Sequence, residues 1–146
     1  MVGIWGSHSS NFLQVLAVGM LLVFALPILL VPFRWARAFQ WDLPEDSDLA
    51  LYFGRCLGGI ACVLGAVTLY VAGEPALQPF FMRMLIGVYL ILTVVHIVGA
   101  VQGVQPVSET IEIGFWLALI VLTLCFLPAG SVTLQSSLAQ GLQLAS

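Results

Sequence analysis

Lysine is absent from this chain of 146 residues, and only 8% of its residues are charged. Soluble domains carry about 25% charged residues, so the composition excludes a solvated globular surface. The cations are four arginines, Arg34, Arg37, Arg55 and Arg83, and the formal net charge is −3. Without a basic run there is nothing to neutralise a phosphate backbone, and nucleic acid is excluded as a partner. Cysteine is sparse too. Cys56, Cys62 and Cys125 form no CxxC pair, so neither a thioredoxin-like redox motif nor a zinc knuckle is supported, and all three read as buried, inert thiols.

What is abundant is hydrocarbon. Hydrophobic residues make up 61% of the chain, and the mean hydropathy is +1.10. A spanning helix needs about 20 consecutive apolar residues. Four segments meet that length, at about residues 12–33, 50–72, 79–101 and 109–127. Exposed backbone is forbidden in lipid, so each segment is expected to be continuous helix. The expected fold is all-α, a single polytopic membrane domain closed as an antiparallel four-helix transmembrane bundle.

The connections are short. Pro27 should bend the first segment or loosen one of its backbone hydrogen bonds. Residues 34–48 form the one long polar stretch, expected as a short interfacial helix, with Trp35 and Trp41 suited to the headgroup layer, followed by an acidic turn from Pro44 to Asp48. Gly73, Glu74 and Pro75 turn into the third segment. Ser108 is the expected N-cap of the fourth. Three arginines at the first connection against Arg83 on the opposite side place that connection in the cytoplasm by the positive-inside rule, and both termini in the periplasm of a bacterial inner membrane. The first segment is too long for a signal-peptide core and lacks a basic n-region, so it is expected to be retained. The uncharged tail, residues 129–146, is expected on the membrane surface or against a partner.

Two constellations stand out. Gly54, Gly58, Ala61, Gly65, Thr68 and Ala72 alternate spacings of four and three, which puts small residues on one face of the second segment. Such faces let membrane helices approach closely, here against another helix of the bundle or of another subunit. The second constellation is ionisable. Arg55 lies roughly 7 Å inside the second segment, His96 at a similar depth in the third, and Glu109 and Glu112 open the fourth, all toward the same side. Glu112 shares a face with Trp116, Leu119 and Thr123, and His96 shares one with Tyr89, Thr93 and Gly99. Turned inward, these faces are expected to gather Arg55, His96, Glu109 and Glu112 into one polar cluster. An intramembrane charge costs about 2.5–3.5 kcal/mol at the bilayer centre, so Arg55 is expected to pair with a carboxylate, Glu112 first, then Glu109 or Asp48. The cluster either holds helix register or binds a ligand, a quinone or protons. His96, Glu109 and Glu112 could supply three metal ligands, yet the paired ExxH motifs of di-iron bundles are missing, so no metal site is assigned. No catalytic constellation is visible, and no cofactor is named.

The run Tyr52-Phe53-Gly54-Arg55-Cys56-Leu57-Gly58-Gly59 resembles the glycine- and arginine-bearing helix of small four-span bacterial membrane proteins of the DoxX-like type. The resemblance covers the second to fourth segments, and only Arg55 and the neighbouring glycines map onto it. It implies a link to quinone-dependent sulfur oxidation and redox-stress complexes. Small size, short loops and the glycine face favour a non-catalytic accessory subunit that docks on or stabilises a larger membrane complex, alongside the bilayer and other membrane subunits as partners. The other class is a DoxX-like redox or transport protein with a quinone- or proton-linked site at Arg55, His96 and Glu112.

Overall fold

The computed structural model describes residues 2–43 and 45–128, and the tail at 129–146 lies outside the described residues. Among the described residues every regular element is a helix, and four helices are long and apolar enough to cross a membrane. We number the elements α1 (Gly6–Leu30), α2 (Pro32–Ala38), α3 (Asp48–Ala72), α4 (Gln78–Gln102) and α5 (Val107–Phe126). The four long helices run up and down, so one end of the bundle carries α2 and the α4–α5 turn. The far end carries the start of α1, the α3–α4 turn and the end of α5.

α1 is longer at its start than the apolar run alone suggests. It begins as a turn of 3-10 helix at Gly6–His8, because the serines that lower its hydropathy have partners inside the bundle. Ser9 is buried and its hydroxyl donates to Gln78 Oε1 at 2.5 Å. Ser10 donates to the Ala72 carbonyl, which also accepts from Gln78 Nε2 at 3.0 Å. This node ties α1 to both helices of the α3–α4 turn, where the buried polar atoms satisfy one another.

Pro27 leaves its mark. The helix widens to a π turn at Leu21–Ala25, just before the proline, and ends at Val31. Pro27 has no N–H to offer the Val23 carbonyl one turn earlier. Trp35 Nε1, on α2, donates to that oxygen at 3.0 Å. Trp35 also stacks on Phe39 with ring centroids 4.3 Å apart and leans on Phe24 of α1, which in turn meets Phe115 of α5.

The small-residue face of α3 packs against α1 and α2. A Cβ on Gly58 would stand 2.6 Å from Leu29 Cα, inside the backbone of α1. One on Gly65 would meet the Leu21 side chain, and one on Gly54 would touch Pro32 Cβ at 3.1 Å. Ala61 lies between them, half-buried. α4 packs along the length of α5, and the two pairs join along an α1–α5 seam in which Phe12 stacks on Phe126 at 4.7 Å. The core therefore sits between the pairs: Leu13 of α1, Met82, Leu85 and Tyr89 of α4, and Trp116 and Leu119 of α5. α3 and α4 touch only sparsely, leaving an open apolar groove between them.

Candidate functional site

α4 turns Tyr89, Thr93, His96 and Gly99 inward, and α5 turns Glu109, Trp116, Leu119 and Thr123 inward, with the Glu112 side chain on the same side. Spacings of three and four keep each set on a single helix face. The two faces meet near the α2 end, and there His96, Glu109 and Glu112 converge. His96 Nε2 lies 3.1 Å from Glu109 Oε2 and 3.5 Å from Glu112 Oε2. The side chains are about nine-tenths buried, with exposures of 10% for His96, 11% for Glu109 and 12% for Glu112.

The other atoms of the site are fixed by neighbours. His96 Nδ1 is 2.7 Å from the Leu92 carbonyl. A carbonyl can only accept, so Nδ1 carries a proton and donates. Thr93 and Thr68 make the analogous bonds back to Tyr89 and Leu64, satisfying their hydroxyls within the helix. Glu109 Oε1 accepts from Trp41 Nε1 at 2.8 Å. Glu112 Oε1 and Trp116 Nε1 are buried and have no hydrogen-bond partner among the described residues. Trp116 packs against the imidazole with ring centroids 6.0 Å apart.

Trp41 reaches the site because of how α2 ends. The Gln40 amide returns to the Arg37 carbonyl and the Trp41 amide to the Ala36 carbonyl. That is the Schellman pair of bonds, with Gln40 in the left-handed region at φ 65°. The turn throws Trp41 under the start of α5, where the Ser108 hydroxyl donates to the Phe39 carbonyl. Ser108 is not the N-cap of α5: the helix begins one residue earlier, at Val107, with Pro106 at the cap position and no side-chain cap bond, and the Ser108 hydroxyl serves the residue that ends α2. Sequence reasoning placed Trp41 at a headgroup layer. Its indole also donates to the Glu109 carboxylate, a contact that nothing in the local sequence pattern signalled.

Arg55 is not in the cluster. It is exposed and forms no ion pair among the described residues, so the expected Arg55–Glu112 pair is corrected to a His96–Glu109–Glu112 group. The reason is helical geometry. Gly54 faces Pro32, and the next residue lies about 100° further around a helix. The packing face that points Gly54 inward therefore points Arg55 away. α1 also occupies the inner side of α3, so α3 does not present a residue to the α4–α5 site.

The chemistry available here is that of one imidazole nitrogen and two carboxylates converging in a nearly closed space. No protein-family model, curated protein or solved structure matches the chain.

Proposed function

We propose that this chain is an integral protein of a bacterial inner membrane that serves as a non-catalytic subunit, docking along the outer side of α3 on a helix of a different membrane protein. The observation that carries this reading is Arg55, exposed beside the α3–α4 groove with no carboxylate partner among the described residues. A cation on a spanning helix is costly unless it is paired or reaches the interface. Arg55 precedes Gly59 by one helical turn, and Gly59, Ile60, Val63, Phe81 and Met84 line a groove of about 780 Å³. Nothing stands within 4 Å of where a Cβ on Gly59 would be. A helix backbone can approach such a surface closely, and a carboxylate on that helix at the level of Arg55 would complete the contact. The arginine-bearing first connection lies in the cytoplasm in this reading, with both termini in the periplasm.

A photoreactive residue at Ile60 or Val63, in cells, tests it. The expected result is a crosslink to one discrete protein that Arg55→Leu removes, and that Arg55→Glu restores when the partner's acidic residue is changed to arginine. The same probe at Ile91, exposed on α4, serves as the control. Crosslinks to lipid alone, or to copies of this chain alone, would overturn the reading.

A second reading, a DoxX-like redox or transport protein, would centre on His96, Glu109 and Glu112. It draws support from an apolar pocket of about 370 Å³ lined by Trp35, Trp41 and Leu57, with Trp41 between pocket and carboxylate.

A further inference from the structure

We propose that His96, Glu109 and Glu112 form a binding site for a divalent transition-metal ion, with His96 Nε2 and one oxygen of each glutamate as its protein ligands. The inference goes beyond either reading of function, since a metal could stabilise a subunit or serve chemistry equally well.

Three observations converge on it. The first is spacing. The candidate ligand atoms all lie within 4.8 Å of one another, and the nitrogen–oxygen distances are 3.1 and 3.5 Å. Bonds of about 2.1 Å to imidazole nitrogen and carboxylate oxygen give ligand–ligand edges of about 3.0 Å in octahedral and about 3.4 Å in tetrahedral geometry. The two nitrogen–oxygen edges already match these values, and the third edge, between the two carboxylate oxygens, lies within 4.8 Å and closes by rotation of the glutamate side chains.

The second is the tautomer of His96. Because Nδ1 donates to Leu92, the neutral ring presents an unprotonated Nε2 to two carboxylate oxygens. Three acceptors then face one another in a nine-tenths buried space. Such an arrangement requires a cation at its centre, either a proton or a metal. A proton on Nε2 alone leaves the group with a net negative charge; neutrality takes either a second proton, on one of the carboxyls, or a divalent ion, which balances both carboxylates at once. In apolar surroundings an uncompensated charge is the costly state. Glu112 Oε1, buried with no hydrogen-bond partner among the described residues, shows that proteinaceous donors do not satisfy this carboxylate.

The third is the outer layer. Metal-binding histidines almost always donate their second nitrogen to a carbonyl or carboxylate, and metal-binding carboxylates are themselves hydrogen-bonded. Leu92 and Trp41 supply these two contacts, and the short α2 Schellman turn aims the second. Imidazole with carboxylates suits zinc, manganese or ferrous iron, and the lack of a thiolate argues against copper(I). Three protein ligands leave coordination positions open for water or a small ligand.

The experiment uses the full chain purified in mild detergent without chelator, assayed for metal by mass spectrometry. It is then stripped with chelator and titrated with Co²⁺ as a spectroscopic probe. The expected result is about one transition-metal ion per chain and a saturable visible ligand-field band whose position reports nitrogen and oxygen ligation and whose intensity reports the coordination number. Glu109→Gln, Glu112→Gln and His96→Gln should each abolish the band. Trp41→Phe should weaken binding about 10-fold, as loss of an outer-layer contact does. Glu74→Gln, at the far end, should leave binding unchanged. A metal-free preparation that also develops no band would overturn the proposal, as would a band that survives all three ligand substitutions. Stoichiometry and spectrum of the unmodified chain decide the matter even where a variant fails to fold.

Discussion

Trp35 supplies, from a separate helix, the hydrogen bond that Pro27 withholds from Val23: its indole Nε1 lies 3.0 Å from the Val23 carbonyl. A bare carbonyl in an apolar environment costs several kcal/mol in the bilayer limit, so this contact fixes the angle at which α2 leaves α1. Trp35→Phe keeps the stacking on Phe39 and removes the donor. It should destabilise the fold by about 1–3 kcal/mol, measured by thermal or denaturant unfolding in detergent. Pro27→Ala restores a backbone donor, so Trp35→Phe in that background should cost clearly less. Equal losses in the two backgrounds would refute the assignment.

The glycines of α3 separate into structural and dispensable positions. Gly58→Ala drives a Cβ into the backbone of α1 and should cost about 1–3 kcal/mol as an overpacking defect. Gly59→Ala meets nothing and should be neutral or stabilising by up to about 1 kcal/mol through helix propensity. Gly65→Ala presses only on the Leu21 side chain, which can rotate away, and should fall between them. Ranking the three variants by melting temperature checks the order.

At the far end, Ser9, Gln78 and the Ala72 carbonyl share a closed set of hydrogen bonds. Gln78→Met leaves the buried Ser9 hydroxyl and part of the Ala72 carbonyl's bonding without partners and should cost about 1–3 kcal/mol. Adding Ser9→Ala removes one orphan, so the double variant should be less destabilised than the sum of the single ones. Strict additivity would mean that the two side chains do not interact.

Arg55 and His96 should behave oppositely. Arg55→Leu removes an exposed side chain with no ion pair, and its effect on unfolding in detergent should stay within about 0.5 kcal/mol. His96→Leu leaves Glu109 and Glu112 facing each other without a cation between them and should destabilise by about 3 kcal/mol or more. Adding Glu112→Leu to His96→Leu should recover part of that loss. The opposite pattern, with Arg55→Leu severe and rescued by Glu112→Leu, would reinstate an arginine-centred cluster.

Much of this was legible before any coordinates. Apolar run length marks four long helices, and spacings of three and four mark the inward faces of α4 and α5 that bring His96 toward the two glutamates. The exclusion of Arg55 was legible too, in retrospect: Gly54 and Arg55 are adjacent and cannot share a helix face, and the small-residue stripe had already claimed Gly54. A cation's preference for a carboxylate does not override that geometric constraint. Other features depend on pairing that no single-segment pattern encodes. The partners of Ser9 and Ser10, the Gln78 side chain and the Ala72 carbonyl, lie in other helices. The Trp41–Glu109 contact was not legible because the left-handed turn that sets it falls on Gln40, a residue type that does not advertise one.

The division into two helix pairs has a mechanical consequence. His96, Glu109 and Glu112 all belong to the α4–α5 pair, whereas Trp41 hangs from the pair that contains α1 and α3. The indole bond to Glu109 is therefore a cross-brace: one carboxylate oxygen faces the imidazole of its own helix pair and the other holds the opposite pair, so the same side chain serves the buried site and the closure of the bundle.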